Sequence, residues 1–438
     1  MKPLRSYTLF VAASACISGL LFGYYMAVIS GALLFLSPEF HFSLGEETIF
    51  VSIILLGAII GSIAGGYLTE YLGRKKVFWL TCLLISAGTI FLLFPASYSF
   101  LLLARVIQGT GIGLISVVAP LYLGEIAPTS HRGSIVSSYQ LMMTLGALIA
   151  YVINCLFAPT GNWQMMFLLG LVPALLQALL LFFMPESPSW LFRKGQASLA
   201  AQVCLQLEIQ TPKEVPKEIE KPIRRKTLVW ILWIGAMLSV FQQVTGINTI
   251  IYYAPRIFQE AGYTSALSAV FATVSLGASN FLGCLLSVWL LDRVGRKKLL
   301  LLGIFGMIVG LFCLSIFSFY NVPFIDKISV VSLFVYVFSF AIGLGPVTWV
   351  LIAEIYPAQI REKAIAFAVF SNWLCVYIIL ATFPYLFSWI KIPGTFGLYG
   401  GMCILAFFFI WRFLPETKQK SSEEIMEMFD KKNRGTLP

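Results

Sequence analysis

Long apolar segments alternate with short polar ones along almost the whole chain of 438 residues. Uninterrupted apolar runs of about 20 residues are long enough to cross a bilayer as α-helices. Several of the runs exceed that length, and we expect those to tilt or to extend beyond the bilayer. The pattern predicts twelve transmembrane helices, at about 7–31, 49–71, 77–95, 98–124, 134–157, 163–183, 228–259, 266–291, 298–318, 329–354, 363–389 and 395–413.

The composition supports an integral membrane protein. Hydrophobic residues make up 59% of the chain and charged residues 11%, whereas a soluble domain averages about 25% charged residues. So little polar surface could not cover a water-soluble globule. The N-terminal "MKPLRSYTLF" leads directly into the first apolar run without a small-residue cleavage site, so no cleavable signal peptide is expected.

If both termini lie in the cytoplasm, nearly all basic residues fall on the cytoplasmic side of the membrane. That placement puts 26 of the 30 lysines and arginines on the cytoplasmic side. Arg256, Lys327 and Lys391 fall outside, and Arg105 lies within a span. Positive charge retained in the cytoplasm is the usual orientation signal. The net charge of +10 is therefore explained by the orientation of the chain in the membrane, and we expect no nucleic-acid partner.

Three motifs of the first half recur in the second half in the same order. "GGYLTEYLGRKK" recurs as "VWLLDRVGRKK", "YLGEIAPTSHRG" as "VLIAEIYPAQIRE", and "MPESP" as "LPETK", at offsets of 222, 229 and 230 residues. Duplicated helical halves around a midplane site are typical of secondary transporters. The repeat predicts a six-helix half at 1–185, a cytoplasmic connector with short helices at 186–227, a second six-helix half at 228–416, and a cytoplasmic tail at 417–438.

The recurring motifs carry acidic and basic residues that the predicted topology places at the cytoplasmic ends of the spans. A water-exposed ion pair contributes only about 0–1 kcal/mol, which suits a gate that must open repeatedly. Recurrence in both halves favours a gate over the alternative, in which the charges only set topology and solubility. The candidate inner-gate pairs are Glu70 with Arg74, Glu125 with Arg132, Asp292 with Arg296, and Glu354 with Arg361.

Amide side chains are concentrated inside the apolar spans, mostly in the second half. Polar residues within spans are costly and usually face the bundle interior or a cavity. Amides both donate and accept hydrogen bonds, as sugar hydroxyls do. Gln242, Gln243 and Asn248 cannot all share one helical face, and the "TG" at 245–246 could allow local unwinding there, as broken helices do at transporter sites. The amides concerned are Gln140, Gln242, Gln243, Asn248, Asn280 and Asn372.

Together these motifs resemble the sugar porter family of the major facilitator superfamily. The resemblance extends over essentially the whole chain, from "FGYYMAVISG" to "PETK", and includes "PLYLGEIAPTSHRG", "PESPSW", "QQVTGIN" and "GPVTWVLIAEIYP". It implies the all-α major facilitator fold and transport of monosaccharides, hexoses or pentoses, by alternating access. Ser189 in "PESPSW" departs from the family, which usually has arginine there, and this puts one inner-gate contact in question.

The resemblance also implies roles for individual residues. An aromatic ring can stack on the apolar C–H face of a sugar, and Trp349 and Trp373 match such positions. Tyr252 and Tyr253 match an outer gate, and the "GLGP" at 343–346 would bend span ten. The sugar-contacting positions are then Gln140, Gln242, Gln243, Asn248, Asn280 and Trp349, with Asn372 and Trp373 beside them.

Tyr25 bears on what drives transport. In the proton-coupled members of the family an aspartate stands at the position of Tyr25 and pairs with the arginine that matches Arg105. A carboxylate can exchange a proton in the working pH range, whereas a phenol with an ordinary pKa of about 10 cannot. The sequence keeps the base and lacks the acid, so we expect facilitative uniport. The alternative is sugar–proton symport through another route.

Other classes fit less well. A transporter-like sugar sensor usually has a long signalling tail, and residues 417–438 are few. An intramembrane enzyme would need a motif such as HExxH or GxSxG, and neither occurs. An efflux carrier for amphipathic compounds would not need an amide-rich site.

The expected partners are a small sugar and the lipid bilayer, with protons added only under the symport alternative. No cofactor is expected, and no Cys/His spacing suggests a metal. The chain is expected to be a monomer in a plasma membrane. The lack of an N-x-[ST] acceptor and the short outer loop at 37–48 favour a bacterial inner membrane.

Overall fold

A computed structural model describes residues 6–128, 132–209, 225–320, 322–356, 360–418, 420 and 422–433. The chain divides into two compact units, unit 1 at 1–220 and unit 2 at 221–438. All regular elements of the described residues are helical, which confirms the predicted all-α class.

Unit 1 contains nine α-helices and one short 3₁₀ turn among its described residues. They are α1 (Ser6–Glu39), α2 (Leu44–Leu72), α3 (Arg74–Leu93), α4 (Tyr98–Ile126), α5 (Arg132–Phe157), the 3₁₀ turn Ala158–Thr160, α6 (Trp163–Leu168), α7 (Leu171–Leu181), α8 (Pro188–Arg193) and α9 (Ala197–Leu207). The short helices α8 and α9 fall in the predicted connector, of which residues 210–224 lie outside the described part.

Unit 2 contains the other eight described helices. They are α10 (Arg225–Val244), α11 (Ile247–Glu260), α12 (Ala266–Val294), α13 (Arg296–Phe319), α14 (Ile325–Ile342), α15 (Leu344–Ile355), α16 (Arg361–Phe413) and α17 (Ser422–Asn433). The tail predicted at 417–438 thus carries a helix, and Ile425 and Phe429 on it are buried.

Eleven helical segments of the described residues are long and apolar enough to cross a membrane. The difference from the twelve predicted spans lies in Ala364–Phe413, which covers the last two predicted spans in 50 residues. At about 1.5 Å per residue this helix is about 75 Å long, more than twice the hydrocarbon core. Its helical geometry is interrupted at Lys391, so the segment is long enough for two passes.

The first loop is shorter than predicted. Helix α1 continues to Glu39, and α2 already begins at Leu44. Ser43 caps α2, because its hydroxyl accepts from the Glu46 N–H while the Glu46 carboxylate accepts from the Ser43 N–H. This capping box stabilises a helix start, and it places Glu46 in a helical turn rather than in an outer loop.

Two predicted breaks within spans are confirmed. Thr245 and Gly246 separate α10 from α11, and Gly246 has the left-handed backbone (φ 92°) that favours glycine. Gly343 separates α14 from α15. Both breaks lie in unit 2, where the predicted amide side chains are concentrated.

Candidate functional site

Four of the predicted amides meet in unit 2 around Gln242. The Gln242 amide nitrogen donates to the carbonyl oxygens of Leu344 (2.8 Å) and Gly345 (3.0 Å), at the start of α15. The Gln242 side-chain oxygen accepts from Asn372 (2.8 Å) and from Gln243 (3.2 Å). Both N–H groups and both lone pairs of Gln242 are therefore engaged.

The break between α10 and α11 completes this amide cluster, defined as Gln242, Gln243, Asn248 and Asn372. Asn248 donates its side-chain N–H to the side-chain oxygen of Gln243, five residues earlier. A continuous helix would not align these two positions. The turn at Gly246, where the backbone N–H bonds to the carbonyl of Gln243 (2.9 Å), brings them together.

The predicted aromatic residues lie on the neighbouring helices of unit 2. Trp373 follows Asn372 on α16 and is buried, whereas Trp349 on α15 is partly exposed. Tyr252 and Tyr253 are both buried on α11, and the ring of Tyr253 packs 5.1 Å from that of Phe383. The backbone of Tyr253 is not helical (φ −118°, ψ 15°), so α11 is kinked there.

The two remaining predicted sugar contacts stand outside the amide cluster. Asn280 lies on α12 of unit 2 and Gln140 on α5 of unit 1, and both side chains are partly exposed.

Arg105 and Tyr25 are joined inside unit 1 by a chain of hydrogen bonds. Arg105, fully buried on α4, donates to the Gln108 side-chain oxygen (3.1 Å). The Gln108 amide donates to the Thr89 hydroxyl (3.0 Å), which lies 2.8 Å from the Tyr25 phenol oxygen. We call these four side chains the Arg105 chain. It contains one cation and three neutral groups.

Aromatic faces also surround the Arg105 guanidinium. Its central carbon lies 5.6 Å from the ring centroid of Phe50 and 5.8 Å from that of Phe167. A cation is attracted to the face of an aromatic ring, most strongly where water is excluded. Phe50 and Phe167 thus help to stabilise the buried charge of Arg105.

The two adjacent tyrosines of α1 pack against the interrupted helix α6–α7. Tyr24 donates its phenol hydrogen to the carbonyl of Met166. Tyr25 lies over Gly170, where an added Cβ would come within 2.6 Å of the Tyr25 hydroxyl. Gly170 therefore leaves the space that the Tyr25 phenol fills.

At the start of α3, Arg74 is held by two glutamates in what we term the Arg74 cluster: Arg74, Glu125 and Glu186. The guanidinium binds both oxygens of Glu125 (2.6 and 2.8 Å), and the backbone N–H groups of Arg74 and Lys75 donate to Glu186 (2.9 and 3.1 Å). The Arg74 side chain is only 2% exposed. A carboxylate at a helix N-terminus also interacts favourably with the helix dipole.

Unit 2 repeats this arrangement as the Arg296 cluster: Arg296, Glu354 and Glu416. The guanidinium of Arg296 donates to Glu354 (3.0 and 3.2 Å), and its backbone N–H donates to Glu416 (2.9 Å). The Thr417 hydroxyl donates to the second oxygen of Glu354 (2.6 Å). The side chain of Arg296 is more exposed, at 13%.

The Arg74 cluster corrects one of the four pairings expected from the sequence, that of Glu70 with Arg74. Arg74 binds Glu125 from a different motif, while the exposed Glu70 accepts from the Trp190 indole through its backbone carbonyl. Arg74 and Arg296 each lie at the start of a helix and bind a glutamate near the end of another helix. Their partners therefore depend on which helix ends lie close together in space. The side chains of Arg132, Asp292 and Arg361 lie outside the described part of the structure.

Ser189 stands where the family usually has an arginine, and another arginine nearby in the sequence lies close to the Arg74 cluster. Arg193, four residues later on α8, has a guanidinium nitrogen 3.8 Å from Glu125. Residues four apart lie on one face of a helix.

Burial raises the pKa of Glu186, although hydrogen bonds from the backbone of Ser187, Arg74 and Lys75 oppose that shift. This loop carboxylate follows α7 and stands out in the sequence only as part of a repeated motif. Glu416 has the matching place in unit 2. Their recurrence at an offset of 230 residues was the signal that could have identified both.

Thr89 and Gln108 were also not among the functional residues predicted from the sequence. Gln108 lies three residues after Arg105 within the same span, so helical spacing alone places the two side chains on one face. Thr89 carries no comparable signal.

Comparisons with known proteins agree over nearly the full length. Residues 11–429 match the family model described as "Sugar (and other) transporter". The galactose–proton symporter of Escherichia coli is 35% identical, with 96% of this chain and 94% of the relative covered. The D-xylose–proton symporter of E. coli is 33% identical, with 98% and 97% covered. A solved structure of the E. coli xylose transporter XylE, partially occluded and inward open, superposes with a TM-score of 0.84 at 31% identity, covering 95% of this chain and all of the other.

Proposed function

The chain belongs to the sugar porter family of the major facilitator superfamily, and from this premise we propose that it is a facilitative monosaccharide carrier. As a member of this family it is a multi-pass membrane sugar transporter and not an enzyme. The choice of a hexose or pentose, the uniport mechanism and the residue roles below are parts of the proposal.

The sugar is held by the amide cluster. Because all hydrogen-bonding groups of Gln242 are engaged within the protein, this residue orients the others. Gln243, Asn248 and Asn372 keep hydrogen-bonding capacity for sugar hydroxyls. Trp349 and Trp373 supply aromatic faces, Asn280 and Gln140 add further amides, and Tyr252 and Tyr253 form the outer gate.

The Arg74 and Arg296 clusters form the inner gate. Each fixes the start of one helix to the end of another through charge-assisted hydrogen bonds. Since Arg193 lies near Glu125, it takes the place of the arginine that the family usually has at Ser189.

The Arg105 chain carries the uniport proposal. It runs from Arg105 through Gln108 and Thr89 to Tyr25, whose phenol stands where the proton-coupled members of the family have an aspartate. A proton-coupled carrier needs a group that gains and loses a proton during each cycle. A phenol with an ordinary pKa of about 10 stays protonated at neutral pH, so Tyr25 cannot serve in this way.

Proton symport through another group is the second candidate. The named galactose and xylose relatives are proton symporters, which favours it. Glu47 is a carboxylate to consider, because it is buried in the first turn of α2 and accepts from the Ser37 hydroxyl (3.1 Å).

Transport in proteoliposomes tests the proposal. With radiolabelled glucose, galactose and xylose, we expect uptake of at least one sugar to stop at the equilibrium concentration. An inward proton gradient and a protonophore should change neither rate nor plateau. Accumulation above equilibrium that the protonophore abolishes would contradict uniport.

Two variants of Tyr25 test separately the effect on uptake of losing the phenol hydroxyl and the effect of placing a carboxylate at this position. Tyr25→Asp should make uptake depend on pH between about 5 and 8, because buried carboxylates can titrate in that range. Tyr25→Phe is the matched control, since it removes the hydroxyl without adding a proton carrier, and its uptake should remain independent of pH.

A further inference from the structure

Two membrane spans of unit 2 are each broken at a glycine. The first break is the turn at Thr245 and Gly246 between α10 and α11, and the second is at Gly343 between α14 and α15. A broken helix leaves backbone carbonyls without their usual N–H partners from the same helix. Within a membrane these carbonyls need donors from elsewhere in the protein, because the hydrocarbon core holds no water to replace them.

Two side chains connect the breaks in opposite directions. From the first broken span, the Gln242 amide donates to the carbonyls of Leu344 (2.8 Å) and Gly345 (3.0 Å), just after the second break. From the second broken span, the Tyr336 hydroxyl donates to the carbonyl of Thr245 (3.0 Å), within the first break. Each broken span therefore supplies a hydrogen-bond donor to the backbone of the other.

The Thr245 carbonyl depends on Tyr336 more than its neighbours in the turn do. The Gln242 carbonyl accepts from the Thr245 hydroxyl (3.1 Å), and the Gln243 carbonyl accepts from the Gly246 N–H (2.9 Å), so both are satisfied by the turn itself. Among the described residues, the donor to the Thr245 carbonyl is the Tyr336 hydroxyl alone. Thr245 and Tyr336 are both fully buried, so loss of this hydroxyl would leave the carbonyl unpaired, which is costly.

The peptide at Thr245 affects the amide cluster. It belongs to the turn between the helix that carries Gln243 and the helix that carries Asn248. Asn248 follows Thr245 by only three residues and donates to the Gln243 side chain across this turn. A rotation of the Thr245 peptide would therefore move Asn248 relative to Gln243.

We propose that Tyr336 is a positioning residue for sugar binding. Its hydroxyl fixes the Thr245 peptide, and the fixed turn keeps Asn248 aligned with Gln243 for the sugar hydroxyls. Tyr336 acts through the turn and makes no contact with the sugar. This role rests on the proposed sugar site at the amide cluster.

Calorimetric titration of the purified full-length protein with D-glucose, D-galactose and D-xylose tests this role without requiring transport. Tyr336→Phe keeps the ring and removes only the donor. For each sugar that the wild-type protein binds, this variant should bind about five- to tenfold more weakly, as expected for the loss of one buried hydrogen bond. Replacement of Tyr336 by 4-aminophenylalanine, whose amine can donate to the same carbonyl, should restore most of the affinity.

Tyr24→Phe is the matched control. Tyr24 is also buried, and its hydroxyl donates to a backbone carbonyl, that of Met166 in unit 1. Both phenylalanine variants should lower the melting temperature, but only Tyr336→Phe should weaken sugar binding. A purely structural role would lower the melting temperature of Tyr336→Phe and leave its dissociation constants unchanged, which would overturn the proposal. An equal loss of affinity in Tyr24→Phe would overturn it as well.

Gln243→Ala distinguishes a failure of this inference from a failure of the sugar site. It should weaken sugar binding more than Tyr336→Phe does, because it removes a group that is proposed to contact the sugar. Unchanged binding in Gln243→Ala would overturn the sugar site at the amide cluster, and the role of Tyr336 with it. Weakened binding in Gln243→Ala together with unchanged binding in Tyr336→Phe would overturn the role of Tyr336 alone.

Discussion

At the residue scale, Tyr24 and Tyr25 differ in what they bind. Tyr24 donates to a backbone carbonyl of α6, which is a structural contact within the wall of unit 1. Tyr25 instead ends the Arg105 chain, and its phenol needs the space above Gly170. A large side chain on α1 and the absence of one between α6 and α7 are thus complementary.

This complementarity predicts that Gly170→Ala displaces the Tyr25 phenol. The added Cβ would lie 2.6 Å from the hydroxyl and 2.8 Å from the Tyr24 ring, and overpacking of this kind typically costs about 1–3 kcal/mol. We expect a lower melting temperature and slower sugar uptake. Combining it with Tyr25→Phe should restore only a small part of both, because the ring carbon that carries the hydroxyl would still lie 2.7 Å from the added Cβ.

Gly66→Ala is the control for this substitution, because nothing lies within 4 Å of its added Cβ. It should leave uptake unchanged. If Gly170→Ala behaves like Gly66→Ala, the proposed steric complementarity is wrong.

Single residues were predicted from the sequence to different extents. Arg105 stood out because a charge within an apolar span needs compensation, and Gln242 because amides are rare there. The partners of Arg105 could not be predicted, since Thr89 comes from another helix and has no distinctive sequence pattern. Likewise, the repeat identified Arg74 and Glu125 but not their contact, which depends on where helix ends meet in space.

At the element scale, the break between α10 and α11 organises the proposed sugar site. Gly246 has a positive φ and lies against the ring of Tyr399, while the Tyr336 hydroxyl donates to the Thr245 carbonyl (3.0 Å). The "TG" sequence predicted an unwound segment here. It could not predict that the turn would bring Asn248 onto Gln243.

Gly246→Ala should therefore disturb the amide cluster. A left-handed conformation costs a residue with a Cβ about 1–2 kcal/mol, and the added Cβ also collides with the Tyr399 ring. We expect a lower melting temperature and weaker stabilisation of the protein by transported sugars, measured by thermal unfolding with and without ligand.

Gly401→Ala on α16 is a matched control in the same unit, because its added Cβ meets nothing within 4 Å. Alanine is the better helix former by about 1 kcal/mol, so this variant should be neutral or slightly more stable. Full sugar stabilisation in Gly246→Ala would show that the cluster does not depend on this turn.

At the scale of the whole molecule, the internal repeat predicted two similar halves, and each unit contains one arginine cluster with the same pattern of contacts. In both clusters the guanidinium also donates to the carbonyl five residues earlier, at Thr69 and at Leu291. The halves nevertheless differ in burial, which the sequence did not indicate. Arg74 is 2% exposed and Arg296 13%, so the weak, water-exposed pairs expected from the sequence do not describe unit 1.

The difference in burial predicts unequal costs for the same substitution. Removing one partner of a buried ion pair typically costs about 3–5 kcal/mol, and a fully exposed pair contributes about 0–1 kcal/mol; the Arg296 pair, with side chains 13% and 27% exposed, lies between these limits. Glu125→Gln should therefore lower the melting temperature clearly more than Glu354→Gln does. Equal shifts of the melting temperature would mean that burial does not set the strength of the two clusters.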